Sequence, residues 1–469
     1  MKKLDLIDYS FLNLETEKTP MHVGGLQIFS LPDKAGESFF DGLVSFYAEL
    51  FQNLEPFNQR LSQPPLGIGL PEWVKDENFS ARQHIYIMHI DPPGEQQQLD
   101  RLVSRLNKPL LDRNYPLWQI YIIKGLPKRR FALLFKVHHS CIDGIGGIRL
   151  LQMILDKPVK GKSEESSNTV VNSKNAVDIA KKKMQRRPRP KGADIGSPIN
   201  NLEKFYNGLK KEWSSWEELF NSYQSTISAG EELVPQPYKT APKSIINGKL
   251  TSERSFAFRS ISLQEMKALR KKAKVTVNDL VMNICAGALR KYMIEKNALP
   301  EKSLVGFIPV AVRSKAAGAT GNELSFMLVN LATHISDPGQ RQQIITASAN
   351  KGKELLSQMS RTAIKKQASV FSAFGILGDV VQLNNVAIPF NVLISNLPAS
   401  RDYLYLQGAR MEHLHPISFL YETQGLNITI LSYEYSMDFG FIACDNLIPD
   451  VGHLADLHVE EFETLKQSF

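Results

Sequence analysis

The chain reads as an α/β protein of two domains, and three observations predict this. Its 469 residues exceed what one core ordinarily holds. Strand-like and helix-like runs alternate on both sides of the middle of the chain. A charged segment at 157–200, poor in large apolar groups, stands between them. The expected division is an N-terminal domain over 1–156, a basic linker over 157–200 and a C-terminal domain over 201–469.

The elements follow in order. Leu26 to Phe29 has the apolar run of a strand, and Phe39, Leu43, Phe46, Leu50 and Leu54 fall at helical spacing. Gln97 to Leu106 reads as a second helix, stopped by Asn107-Lys108-Pro109. Gln119 to Ile123 and Phe131 to His139 read as strands joined by the turn Lys128-Arg129-Arg130. Beyond the linker, Asn201 to Ser228 has helical character, with Trp213, Trp216, Phe220 and Tyr223 on one side. Thr276-Val277-Asn278-Asp279 has capping-box spacing before an apolar helix over Leu280 to Met293. Strands are expected at Leu304 to Ala311, Phe390 to Ile394, Ile428 to Tyr433 and Phe439 to Ala443.

Composition narrows the function. The net charge is +8, yet residues 157–196 hold eleven Lys or Arg against four Asp or Glu, leaving +1 for everything else. The folded parts are nearly neutral and the basicity lies in one low-complexity segment, which argues against a general nucleic-acid groove. The cysteines Cys141, Cys285 and Cys444 lie far apart with no CxxC pair, so neither a zinc site nor a disulfide framework is expected. No run of 18 apolar residues is present to span a membrane. An acidic Asp5 stands where a signal peptide has its apolar core. A cytoplasmic protein is expected.

The chemistry concentrates in His138-His139-Ser140-Cys141-Ile142-Asp143-Gly144. Strand alternation puts Phe131, Leu133, Phe135, Val137 and His139 on one face and Ala132, Leu134, Lys136 and His138 on the other. His139 ends the more apolar face, which suits a neutral imidazole able to accept a proton near ambient pH. Asp143 and Gly144 open a helix through Ile148, Leu151 and Leu155. Gly144, Gly146 and Gly147 let that turn approach another backbone or a ligand.

This run resembles the active-site motif of acyltransferases with the chloramphenicol-acetyltransferase-like fold. The whole chain resembles, more closely, the bacterial wax ester synthase/acyl-CoA:diacylglycerol acyltransferases. Pro20-Met21-His22-Val23-Gly24-Gly25-Leu26, Pro116-Leu117-Trp118 and Asn278-Asp279 carry that resemblance, with Ile394-Ser395-Asn396-Leu397-Pro398 and Leu426-Asn427-Ile428-Thr429. Pro398-Ala399-Ser400 departs from the family's usual Pro-Gly-Pro.

The resemblance implies two domains of mixed sheets flanked by helices, with an active-site tunnel at their interface. It implies acyl transfer from fatty acyl-CoA to a long-chain alcohol or to diacylglycerol, with no cofactor and no metal. His139 is then the general base. Asn278, early in a capped helix, either stabilises the developing negative charge or only organises the helix start. His138 is the third residue of the catalytic set, with a supporting role favoured. Asp143 and Gly144 hold the loop, and Arg313 is the expected ion-pair partner of Asp143. Asp438-Phe439-Gly440-Phe441 resembles a structural motif of the superfamily, and Cys141 occupies a variable position. The basic linker is expected to draw the protein to anionic membrane or lipid-droplet surfaces. The competing readings are a condensation-type amide former and a non-catalytic lipid-binding or lipid-droplet protein.

Overall fold

The structure, a computed structural model, describes residues 2–4, 6–62, 70–157, 233–237, 239–313, 322–358 and 388–469. In chain order its strands are β1 (Lys2–Lys3), β2 (His22–Ser30), β3 (Gln59–Ser62), β4 (Glu72–Lys75), β5 (Ile85–His89), β6 (Trp118–Leu126), β7 (Arg130–His138) and β8 (Arg254–Ser262). There follow β9 (Val305–Arg313), β10 (Asn322–Asn330), β11 (Val392–Ser400), β12 (Tyr405–Leu406), β13 (Ala409–Ile417), β14 (Leu426–Tyr433) and β15 (Ser436–Cys444). Helices α1 (Leu6–Leu14), α2 (Glu37–Gln52), α3 (Gln96–Asn107) and α4 (Gly144–Ile154) belong to the first part of the chain. Among the described residues no helix is long and apolar enough to cross a membrane.

Two compact units emerge. One comprises Met1–Asp194, Leu397–Phe419 and Leu431–Gly440; the other comprises Ile195–Asn396, Leu420–Ile430 and Phe441–Phe469. This corrects a contiguous C-terminal domain over 201–469. The cause is β13, which pairs antiparallel with β2 from Arg410↔Ser30 to Ile417↔Gly24 and so completes a sheet begun nearly 400 residues earlier. The linker at 157–200 lies outside the described residues apart from Lys157, as does the helical run expected at 201–228.

In the first unit the sheet order is β12-β13-β2-β7-β6-β5. It is mixed: β5 runs parallel to β6, while the pairs β12–β13, β13–β2, β2–β7 and β7–β6 are antiparallel. The alternation expected of β7 is observed. Phe131, Leu133 and Val137 join Phe40, Leu43, Tyr47, Leu50 and Phe51 of α2 in one apolar core. On the opposite face Lys136 is buried and donates from Nζ to the carbonyls of Leu106 and Pro109, at the end of α3. The Gly24 position explains why β2 lies so close to β7. A Cβ there would sit 1.8 Å from the Phe135 carbonyl oxygen, so only glycine permits this register.

The other six-stranded sheet has the order β10-β9-β11-β14-β15-β8 and is also mixed, with β11 parallel to β9. The central helix of the second unit, Val277–Glu295, opens with the expected capping box: Thr276 and Asp279 each accept the other's backbone N–H. From Leu280 to Leu289 every residue of that helix is buried. Arg341 and Glu461, both 2% exposed, form an ion pair beside it. Arg341 also donates to Asn283, and Lys291 lies 2.8 Å from the second Glu461 oxygen. One carboxylate thereby ties together three helices: Val277–Glu295, Pro338–Gln358 and Val451–Ser468.

Candidate active site

β7 ends at His138, and His139 is the first residue of the turn that follows. Main-chain bonds hold this end from both sides. The His138 N–H donates to Leu117 O (3.0 Å), and the His139 N–H donates to Met21 O (2.9 Å). Two of the segments that carried the resemblance, Pro116-Leu117-Trp118 and Pro20 to Leu26, therefore flank the histidine pair. Trp118 anchors its segment in the core, fully buried, with its indole N–H donating to Phe57 O at 2.7 Å.

Under the pair lies a buried carboxylate that sequence reasoning missed. Glu15, 9% exposed, accepts the Met21 N–H at 3.2 Å and an Arg113 N–H at 3.1 Å. Its Oε1 is 3.4 Å from Nε2 of both His22 and His138. Burial alone pushes this carboxyl up, but His138 and His22 overcome that and hold it well below the usual carboxylate range. His138 Nδ1 accepts the Ser140 N–H at 3.1 Å and lies 2.7 Å from the Ser140 hydroxyl, so its proton sits on Nε2, facing Glu15. His138 is thus fixed through Nδ1, with Nε2 facing the Glu15 carboxylate, and is fully buried. Burial drives His22 down to about 4, with Glu15 opposing.

His139 is different: half-buried, and held by ring packing. Phe11 of α1 lies 4.0 Å from it between centroids, tilted 31°, and Phe419 meets it edge-on at 5.5 Å. Its Nδ1 is closed off from solvent without a hydrogen-bond partner among the described residues. Burial lowers its pKa to about 4, against the opposing charge of Asp143. The imidazole is neutral at physiological pH, as expected, but lies further from ambient pH than the sequence reading held. Burial pushes the Cys141 thiol up, which leaves it protonated and a poor nucleophile.

Asp143 is exposed and caps α4, its carboxylate accepting the Gly146 N–H. The Arg313 side chain lies outside the described residues. Of the three motif glycines only Gly146 is crowded, a Cβ there falling 2.8 Å from the Asp143 carboxylate. Gly144 would make an ordinary contact with Leu397, and nothing lies within 4 Å at Gly147. The motif therefore fixes a cap at Gly146 and leaves space at Gly147. Asp438 is fully buried and accepts from Leu414 N–H (2.7 Å) and from His413 (3.0 Å), a scaffold position linking β15 to β13.

In the second unit Asn278 is the second residue of its helix and exposed. Its Oδ1 accepts from Asn396 Nδ2 at 2.7 Å.

Residues 4–281 match the wax ester synthase/diacylglycerol acyltransferase catalytic domain, and residues 320–466 match the WS/DGAT C-terminal domain. The chain belongs to the wax ester synthase/diacylglycerol acyltransferase family. As a member of that family it is an O-acyltransferase. It is 33% identical over 464 residues to the O-acyltransferase WSD of Acinetobacter baylyi, covering 98% of this chain and 96% of that one. It is 34% identical over 455 residues to a probable diacylglycerol O-acyltransferase of Mycobacterium tuberculosis, covering 95% of each. A solved wax ester synthase/diacylglycerol acyltransferase from Marinobacter aquaeolei superposes with a TM-score of 0.74 at 29% identity, covering 100% of this chain and 99% of that one. The first condensation domain of the CDA synthetase shares the fold at 12% identity, with a TM-score of 0.55 over 100% of this chain and 95% of that domain.

Sequence alone assigns no role to Glu15, His22 or Phe11. His22 lies inside the family segment Pro20 to Leu26, which marks its place without a function. Glu15 stands in the polar run Glu15-Thr16-Glu17-Lys18, where nothing marks it as buried.

Proposed function

We propose that this family member transfers a fatty acyl group from acyl-CoA to the hydroxyl of a long-chain alcohol or of diacylglycerol, with His139 as general base. The carrying observation is the neutral His139 ring, packed by Phe11 and Phe419, with Nδ1 sealed. That leaves Nε2 to meet a substrate. Nε2 takes the hydroxyl proton as the oxygen attacks the thioester carbonyl. The tetrahedral intermediate collapses, the C–S bond breaks, and coenzyme A leaves as thiolate. The imidazolium then returns the proton to that thiolate, so that coenzyme A departs as the thiol and His139 is again neutral. The chemistry asks for no covalent acyl-enzyme and no cofactor, because a thiolate already leaves readily.

In this reading Asn278 directs its amide N–H groups at the oxyanion, and the helix N-terminus beneath it favours the same charge. His138 and Glu15 hold His139 through the main chain. The net +7 of residues 157–196 supports peripheral binding to anionic membrane or lipid-droplet surfaces, where apolar substrates collect. The match to O-acyltransferases along nearly the full chain favours ester over amide formation, and the complete His-His-x-x-x-Asp-Gly run favours an enzyme over a lipid-binding protein.

The test follows free thiol from palmitoyl-CoA with hexadecanol or diacylglycerol as acceptor. His139→Ala should lower kcat by about 10²–10⁴, with an unchanged melting temperature. Wild-type turnover in that variant would reject the assignment. Co-sedimentation with anionic vesicles that ignored both salt and neutralisation of the basic segment would reject the surface role.

A further inference from the structure

Asn278 and Asn396 come from two segments that share no local sequence relation, yet within the second unit their side chains meet at 2.7 Å. The direction of the bond matters. Asn396 donates through Nδ2 and Asn278 accepts through Oδ1, so the acceptor of Asn278 is engaged and its two N–H donors remain to point elsewhere. Asn278 is also exposed, on a helix whose start is fixed by the Thr276–Asp279 capping box. Its backbone is therefore rigid, and the side-chain amide is the part left to orient. The Oδ1 of Asn396 is itself closed off from solvent, with no hydrogen-bond partner among the described residues. A buried carbonyl left in that condition is disfavoured, and sites that demand one geometry are where such arrangements persist.

We infer that Asn396 is a positioning residue for acyl transfer: its Nδ2–H holds the Asn278 amide in the orientation that presents N–H groups to the oxyanion. This rests on the reading of Asn278 as an oxyanion donor and adds to it the group that aims it. Without that hydrogen bond the Asn278 amide is free to turn its carbonyl outward, and a carbonyl oxygen repels the charge that forms in the transition state.

The test uses the full chain, palmitoyl-CoA and hexadecanol, with the variants Asn278→Ala, Asn396→Ala, Asn396→Asp and the double alanine variant. Loss of one oxyanion donor predicts that Asn278→Ala lowers kcat by about 10²–10³. Asn396→Ala, which frees the amide without removing it, should lower kcat by roughly 10-fold, and Asn396→Asp, which pulls the N–H groups inward, by about 10² or more. KM for palmitoyl-CoA should stay within about twofold, since the interaction is made in the transition state. The double variant should match Asn278→Ala alone, because nothing is left to aim. If Asn396→Ala costs the same further factor in the Asn278→Ala background, the positioning role is overturned while the oxyanion role stands. If Asn278→Ala turns over at the wild-type rate, the oxyanion role falls and the inference with it. A fall in kcat that tracks the folded fraction measured by melting would likewise overturn the positioning role.

Discussion

Two buried carboxylates, Glu15 in the first unit and Glu461 in the second, are partnered in opposite ways. Glu461 in the second unit is met by the guanidinium of Arg341 and the ammonium of Lys291, permanent charges that clamp three helices. Glu15 in the first unit is met by one arginine that reaches solvent, one backbone N–H and two imidazoles. The first arrangement is a rivet between oppositely charged groups. The second is a polar support under the residues proposed to move protons, and burial keeps its His22 neutral at physiological pH. A buried carboxylate thus serves architecture in one unit and underlies a reactive loop in the other.

The largest effect expected from this contrast is in the second unit. Arg341→Met leaves Glu461 buried with only Lys291 and should cost roughly 3–5 kcal/mol, read as a fall in melting temperature. Adding Glu461→Gln should recover part of that loss. A double variant as unstable as the sum of the singles would show that the pair does not act as a unit.

Acid should test the first unit next. His22 and His139 titrate near 4 when folded and near 6.5 when unfolded, so the unfolded chain takes up protons first as pH falls. Stability is therefore lost between pH 6.5 and 4, on the order of 3 kcal/mol for each ring. The Glu15 contribution, from a depressed carboxyl, then disappears as pH falls below its ordinary 4.5. Part of the loss belongs to His458 in the second unit, also lowered to about 4 by burial. His22→Asn should flatten the melting-temperature profile above pH 4. An unchanged profile would place the acid sensitivity elsewhere.

Glu15→Gln comes third. It removes the charge facing both histidines and should cost about 1.5–3 kcal/mol, since Arg113, its side chain 40% exposed, finds water instead. Turnover should fall further than the folded fraction does. A variant that merely melts earlier at full specific activity would make Glu15 a scaffold residue like Glu461. The smallest effect belongs to the α4 cap. Asp143→Ala, which removes the acceptor of the Gly146 N–H, should cost about 1 kcal/mol, read as a small fall in melting temperature.

Local pattern carried much of this. The helix periodicity of α2 and α3, the faces of β7 and the Thr276–Asp279 capping box were legible because each depends on residues a few positions apart. The Asp143 cap was legible only as a helix start. What stayed hidden depends on distance. Nothing in Ala409–Ile417 names β2 as its partner, and nothing in Glu15-Thr16-Glu17-Lys18 tells which acid is buried. The quoted Pro20 to Leu26 segment marked a place without a role, which only the Met21 carbonyl and the crowding at Gly24 supply. The His139 pKa was also beyond reach, because it follows from Phe11 and Phe419, more than 100 and 250 residues away along the chain.

The pairing of β13 with β2 bears on the order in which the protein is made. Until Ile417 has emerged from the ribosome, β2 keeps an open edge with its hydrogen-bonding groups unmatched. At about 5–20 residues per second, that edge waits roughly 10–50 s after the end of α4 has been synthesised. A nascent chain in that interval holds most of its reactive loop but an unfinished sheet. The protein therefore cannot mature half by half, and fragments cut between the apparent domains should be clients for chaperones rather than working modules.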